Sequence, residues 1–97
     1  MTGRTHEDVE GAIDLGSGVS LRWTEHEPEG RVGYILDHPL ADSPTGRCGG
    51  AGWVNPAYEP TRPHWTIQSE DPLTMAPSFL CHCGFHGFIR DGRWVPA

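Results

Sequence analysis

The sequence predicts an all-β fold built from short antiparallel hairpins. Thirteen glycines and nine prolines among 97 residues favour strands joined by turns over packed helices. Several segments alternate apolar and polar residues with a period of two, which is typical of half-buried strands. A chain of this length forms one small core of marginal stability, to which a metal ion or another staple often contributes.

The strand pattern recurs along most of the chain. The predicted strands are residues 19–24, 32–36, 52–54, 64–68, 73–77, 85–90 and 93–95. Turn residues 27–30 join the first two into a hairpin. Asp91-Gly92 joins the last two, because a two-residue type I′ turn needs positive φ at both positions and this dipeptide tolerates it.

Residues 1–17 are predicted to be a flexible tail or a short helix, and residues 18–97 a single small domain. Thr5-His6-Glu7-Asp8 resembles a capping box, which favours the helix. Gly16-Ser17-Gly18 follows closely and favours the tail.

A concentration of metal-ligating side chains lies near the C-terminus. Side chains two apart on an extended strand point to the same side, so Cys81 and Cys83 can offer both sulfurs to one ion. Gly84 allows a sharp turn, after which His86 follows with an imidazole nitrogen. Thiolate and imidazole are the ligands that zinc prefers, usually four in a tetrahedron.

The fourth ligand is predicted to be Cys48, which the glycine-containing loop 37–50 would deliver. His38 and His64 are alternatives to it, and His82 competes with Cys81 although strand neighbours point to opposite sides. The prediction is a zinc-ribbon-like domain with one structural zinc ion held by Cys48, Cys81, Cys83 and His86. In the alternative without a metal ion, Cys81 and Cys83 are core residues and Cys48 has no special role.

Charge and composition narrow the range of partners. A formal net charge of −6 is a poor match for nucleic acids or anionic membranes, although Arg90 and Arg93 lie among aromatic residues. No signal peptide and no membrane-spanning apolar run is visible, and three cysteines cannot all pair within one chain. These features favour a cytoplasmic location, the host cytoplasm if a phage encodes the chain.

The sequence holds no recognisable catalytic constellation. It has no HExxH motif, no phosphate-binding glycine loop and no deaminase signature. Three thiolates and a histidine would also close the tetrahedron, which favours a structural ion over a catalytic one. The enzyme alternative is a metal-dependent hydrolase or deaminase-like protein that uses Cys81, Cys83 and His86 with an open position and Glu70 or Asp71 as general base.

The C-terminal half resembles an uncharacterised metal-site family, the domain of unknown function 6527, in its short actinobacterial-phage form. The matching segments are Cys48–Gly50, Pro63–Thr66, Leu73–Ser78, Cys83–Arg90 and Gly92–Val95. The resemblance implies Cys48, Cys83 and His86 as ligands, with Cys81 as an extra thiol. It does not reach residues 1–30, and longer members look richer in cysteine at the first knuckle than this chain, which offers only Cys48 there.

Together these observations predict a small phage-type zinc protein that acts by binding another protein, of the host or of the phage. A virion component or nucleic-acid accessory protein is a third alternative, beside the enzyme.

Overall fold

A computed structural model describes residues 11–97 of the chain. These residues form eight β-strands. Their bounds are β1 Ile13–Asp14, β2 Ser20–His26, β3 Gly30–Pro39, β4 Arg47–Trp53, β5 Thr66–Glu70, β6 Leu73–Leu80, β7 His86–Arg90 and β8 Arg93–Pro96. The capping box predicted at residues 5–8 lies outside the described residues. Residues 11–97 contain no helix that is long and apolar enough to cross a membrane.

The strands form two four-stranded sheets in chain order. The first sheet has the order β1-β2-β3-β4 and the second the order β5-β6-β7-β8. Every neighbouring pair within each sheet is antiparallel. The predicted all-β class and the antiparallel hairpins are therefore confirmed.

One hydrophobic core joins the two sheets. Strand β3 alternates with a period of two, so that Tyr34 and Leu36 are buried while Ile35 between them is only half-buried. The Tyr34 ring meets the Phe79 ring of the second sheet edge-on, with ring centroids 5.3 Å apart. Leu15, Val19, Leu21, Leu73, Met75, Ile89 and Trp94 complete the buried cluster.

The closing hairpin has the predicted turn. Asp91 has a φ of 52° and Gly92 a φ of 75°, the left-handed conformation at both central positions. Arg90 pairs with Arg93 across this turn, which sets the register of β7 against β8.

Residues 11–17 differ from the predicted tail or short helix. Ile13 and Asp14 form β1 and pair with β2, and Leu15 is only 2% exposed in the core. The backbone amide of Trp94 donates a hydrogen bond to the carbonyl of Leu15, 2.9 Å away, which ties this segment to the second sheet. The folded unit therefore begins before residue 18, because burial of Leu15 and pairing of β1 compensate for ordering the glycine-rich segment.

Two glycines of β4 differ in the space beside them, and they give a matched pair of variants. A Cβ at Gly52 would lie 2.5 Å from the Tyr34 ring, whereas a Cβ at Gly50 meets nothing within 4 Å. We expect Gly52→Ala to lower the free energy of unfolding by about 1–3 kcal/mol through overpacking. Gly50→Ala should raise it by up to about 1 kcal/mol, because alanine restricts the unfolded chain.

Urea denaturation of the metal-loaded protein measures both effects. Equal destabilisation by the two variants would contradict this packing of Tyr34 against β4.

Candidate metal centre

Four potential metal ligands converge at one end of the two sheets. They are His38, Cys48, Cys81 and Cys83, and their ligand atoms all lie within 4.8 Å of one another. The first two belong to the first sheet, and the other two lie between β6 and β7 of the second sheet. A bound ion would therefore link the two sheets.

The first sheet contributes its pair through strand register. His38 on β3 lies directly opposite Cys48 on β4, and directly opposed residues point their side chains to the same face. His38 continues the inward alternation of Tyr34 and Leu36. Cys48 is thus held by a strand that begins at Arg47, whereas the sequence placed it in a loop extending to residue 50.

The second sheet contributes its pair through a tight turn. Strand β6 ends at Leu80, and the backbone amide of Cys81 then donates to the carbonyl of Phe85, 2.8 Å away. The amide of Gly84 donates back to the carbonyl of Cys81, and Gly84 has a φ of 96°. The two thiols therefore converge because the chain turns, and not because they share one face of an extended strand.

His38 is oriented by the groups around its ring. It is fully buried, and its Nδ1 lies 2.9 Å from the carbonyl oxygen of Pro39. Because a carbonyl only accepts, Nδ1 carries the proton and Nε2 keeps its lone pair. That Nε2 lies 3.6 Å from the sulfur of Cys83. A metal-binding histidine usually donates its other ring N–H in this way, which fixes the tautomer.

Two aromatic rings form a stack with the imidazole of His38. The Phe85 ring stacks on His38 with centroids 3.9 Å apart and an interplanar angle of 5°. Trp94 stacks in turn on Phe85 at 5.0 Å and 11°. The imidazole therefore sits at the end of an aromatic stack that is continuous with the core.

Two of the donor distances match the edges of a tetrahedral zinc site. With Zn–S bonds of about 2.3 Å and a Zn–N bond of about 2.0–2.1 Å, a tetrahedron has S···S edges of about 3.8 Å and S···N edges of about 3.6 Å. The sulfurs of Cys48 and Cys81 are 3.7 Å apart, and the S···N distance from Cys83 to His38 is 3.6 Å. A disulfide would need about 2.05 Å between sulfurs. The residues present therefore fit one tetrahedral ion with three sulfurs and one nitrogen.

The thiols differ in how readily they release a proton. Burial, with added effects of the neighbouring thiols Cys81 and Cys83, raises the pKa of Cys48 to about 11. A hydrogen bond from the backbone of Phe85 lowers the pKa of Cys83, against an opposing effect of burial. Of these two thiols Cys83 ionises first, while Cys48 requires a nearby cation to become a thiolate at neutral pH. A divalent ion supplies that charge.

His86, the predicted histidine ligand, lies outside the cluster. Gly87 and Ile89 of β7 face inward, so strand alternation directs His86 to the opposite face. Its Nε2 there lies 3.0 Å from the hydroxyl oxygen of Ser78. The structure thus brings together Cys48, Cys81 and Cys83 and adds His38 in place of His86.

The two other candidate histidines also lie outside the group of four. His64 hydrogen bonds through Nε2 to the carbonyl oxygen of Tyr58 at 2.9 Å. His82 is exposed and borders the cluster, with Nδ1 3.6 Å from the sulfur of Cys81 and Nε2 4.0 Å from that of Cys48.

One group proposed for chemistry and one proposed for nucleic-acid binding have partners elsewhere. The carboxylate of Glu70, a candidate general base, accepts a hydrogen bond from the guanidinium of Arg31. Arg90 lies over the ring of Phe88, 4.2 Å from its centroid. These contacts lie outside the metal cluster and give neither the enzyme nor the nucleic-acid alternative added support.

The alternation of β3 assigns His38 to the inward face once the predicted strand is extended beyond Leu36. Val32, Tyr34 and Leu36 alternate inward, and the same period places His38 next on that face. Ending the predicted strand at Leu36 moved His38 into a loop.

Comparison of the chain with protein-family models, with curated proteins and with solved structures finds no match. The resemblance of the C-terminal half to the domain of unknown function 6527 stays a prediction.

Proposed function

We propose that the chain is a small zinc-stabilised β domain, encoded by a phage, that acts by binding another protein. The convergence of His38, Cys48, Cys81 and Cys83 carries this proposal, because a structural zinc site requires four soft or borderline donors close together, and these lie within 4.8 Å of one another. The phage setting derives from the resemblance of the C-terminal half alone.

The position of the site supports a structural role for the ion. When bound, zinc would supply a cross-link between the β3–β4 pair and the turn after β6, two parts of the chain that are distant in sequence. Three cysteines and one histidine complete a tetrahedron, so every position is taken by protein. The chain's own residues hold and orient the site: Pro39 and Phe85 fix the ring of His38, and the turn at Gly84 fixes the two thiols.

Features around the site support a binding role. The proposed ion has no open position for a substrate, and Glu70, one of the two candidate bases, is paired with Arg31. An exposed leucine, Leu80, lies beside the ligand Cys81 and is 68% exposed. Leu80 also lines a small cleft between the two sheets, which offers space for a side chain of a partner.

Native mass spectrometry tests the metal part, and proximity crosslinking in host cells tests the binding part. We expect one zinc ion per chain and a specific crosslinked protein that is lost with His38→Ala, which should not hold the metal. A chain that carries no metal, or a wild-type pattern of crosslinks identical to that of the metal-free variant, would contradict the proposal.

A further inference from the structure

Strand β4 forms one edge of the first sheet, and its outer side is open over a short window. Within residues 11–97 it pairs with β3 on one side, and on the other side it makes one isolated parallel bridge, between Trp53 and His64. Its sequence, Arg47–Trp53, contains three glycines and one alanine and no charged side chain after the first residue. Natural sheets usually protect such an edge with charges, prolines or a covering loop.

The register shows which backbone groups face outward. Hydrogen bonds just beyond the strand pair run from the Leu40 amide to the Gly46 carbonyl and from the Val54 amide to the Val32 carbonyl. Hydrogen-bonded pairs alternate along an antiparallel ladder. Even-numbered residues of β4 therefore bond to β3, and odd-numbered residues turn their N–H and C=O groups to the open side.

Both ends of that open side are already occupied. At one end the hydroxyl of Thr45 accepts from the amide of Arg47 and donates to its carbonyl. At the other, the amide of Trp65 donates to the carbonyl of Trp53 at 2.8 Å. Between them the N–H and C=O groups of Gly49 and Ala51 have no backbone partner within residues 11–97.

A small cleft opens between the two sheets beside this window. Its volume is about 70 Å³. Its lining includes Gly50 and Ala51 of β4, the side chains of Trp65, Phe79 and Leu80, and the metal ligands His38 and Cys81. The side of Gly50 is empty, since an added Cβ would meet no atom within 4 Å.

We propose that the open edge of β4 binds an extended peptide segment of another protein as an additional strand, with a small apolar side chain in the cleft beside Gly50. The backbone groups of Gly49 and Ala51 would supply main-chain hydrogen bonds, and the cleft would select one side chain. Strand addition of this kind combines backbone affinity with side-chain pockets. The inference rests on the proposed function and specifies the partner's chemistry.

The volume of the cleft limits the size of the peptide side chain that it can accept. Its volume is roughly half that of a cavity of about 150 Å³ that holds benzene. The cleft therefore favours a small aliphatic side chain over an aromatic ring. The net charge of −6 further favours a partner with basic residues around the bound segment.

A second copy of this chain is a poorer occupant than a foreign peptide. If two β4 strands paired antiparallel around Gly50, the residues that faced the cleft would be the inward-facing residues of the other β4. Those are Gly50 and Gly52, which have no side chain, and Cys48, which belongs to the metal cluster. Such a dimer would leave the cleft empty.

The test selects peptides from a displayed library of random ten-residue sequences on the zinc-loaded, full-length protein. Two variants address the two parts of the proposal. Ala51→Pro removes an outward N–H at an edge position where proline is tolerated, and Gly50→Val fills the cleft. Ala51→Val is the matched control, because it keeps the N–H and the strand preference.

We expect enriched peptides to carry alternating apolar residues and to shift the amide NMR signals of Gly49 and Ala51. Binding should weaken at least tenfold in Ala51→Pro and in Gly50→Val, and should change less than threefold in Ala51→Val. No enriched peptide, or enriched peptides that bind Ala51→Pro with unchanged affinity, would overturn the inference.

Two further measurements distinguish a wrong occupant of the β4 edge from a partner that binds elsewhere on the protein. If sedimentation shows a dimer of the wild type that Ala51→Pro disrupts, the edge binds a second copy and the assignment of a peptide partner is wrong. A cellular partner that still crosslinks to Ala51→Pro would overturn the β4 site while leaving the proposed binding function intact.

Discussion

Replacing His38 by alanine should lower the affinity for zinc by at least about 100-fold, whereas His86→Ala should leave it within about threefold of the wild type. Loss of a group that merely orients a ligand already costs about 10–100-fold, and loss of the ligand itself exceeds that. His38 presents Nε2 to the sulfur of Cys83, while Nε2 of His86 is bonded to Ser78. Competition with a chromophoric chelator measures the affinities.

The two histidine variants control for each other, because both remove one imidazole from a β-strand. His38→Ala also empties a fully buried site under the Phe85 ring, so its secondary structure is checked by circular dichroism at saturating zinc. Strong zinc binding by a folded His38→Ala protein together with weak binding by His86→Ala would show that the sequence-based ligand set is correct and that this geometry is wrong.

Removing zinc should lower the midpoint of thermal unfolding by roughly 15–30 °C. An ion that binds only the folded state stabilises it by about 4 kcal/mol when free metal exceeds the dissociation constant by about 1,000-fold. In a domain of this size each kcal/mol shifts the midpoint by about 4–8 °C. The effect is large because the ion would bridge the two sheets near the edge of a small core.

Calorimetry with and without a high-affinity chelator measures this shift, and Cys48→Ser is the control. Without Cys48 the ion loses its ligand from β4, so the variant should unfold at the low midpoint whether or not chelator is present. An unchanged wild-type midpoint after complete chelation would show that the core alone holds the sheets together.

Local features of this fold could be predicted from sequence because their causes are local. The Asp91-Gly92 turn needs only two residues with positive φ, and both adopt it. The inward alternation around Tyr34 and Leu36 follows from strand geometry alone. These signals were sufficient for the all-β class and the antiparallel hairpins.

The ligand set could be predicted only in part, because it depends on contacts between distant segments. The spacing of Cys81 and Cys83 indicates a pair of metal ligands, and His86 follows closely in sequence. However, the inward position of Gly87 sends His86 to the opposite face. His38 reaches the cluster through its register with Cys48 and through the packing of Phe85, neither of which short spacing reveals.

The burial of Leu15 was missed for a similar reason. A single leucine between Asp14 and Gly16 carries almost no periodic signal. Its place in the core depends on β1 pairing with β2 and on the hydrogen bond from Trp94, nearly eighty residues further along.

X-ray absorption at the zinc edge of the purified, untagged protein measures the ligands of the metal centre. We expect one zinc per chain with three sulfur neighbours at about 2.3 Å and one imidazole nitrogen at about 2.0–2.1 Å. A protein without zinc, or a zinc shell with fewer than three sulfurs, would contradict the site formed by His38, Cys48, Cys81 and Cys83.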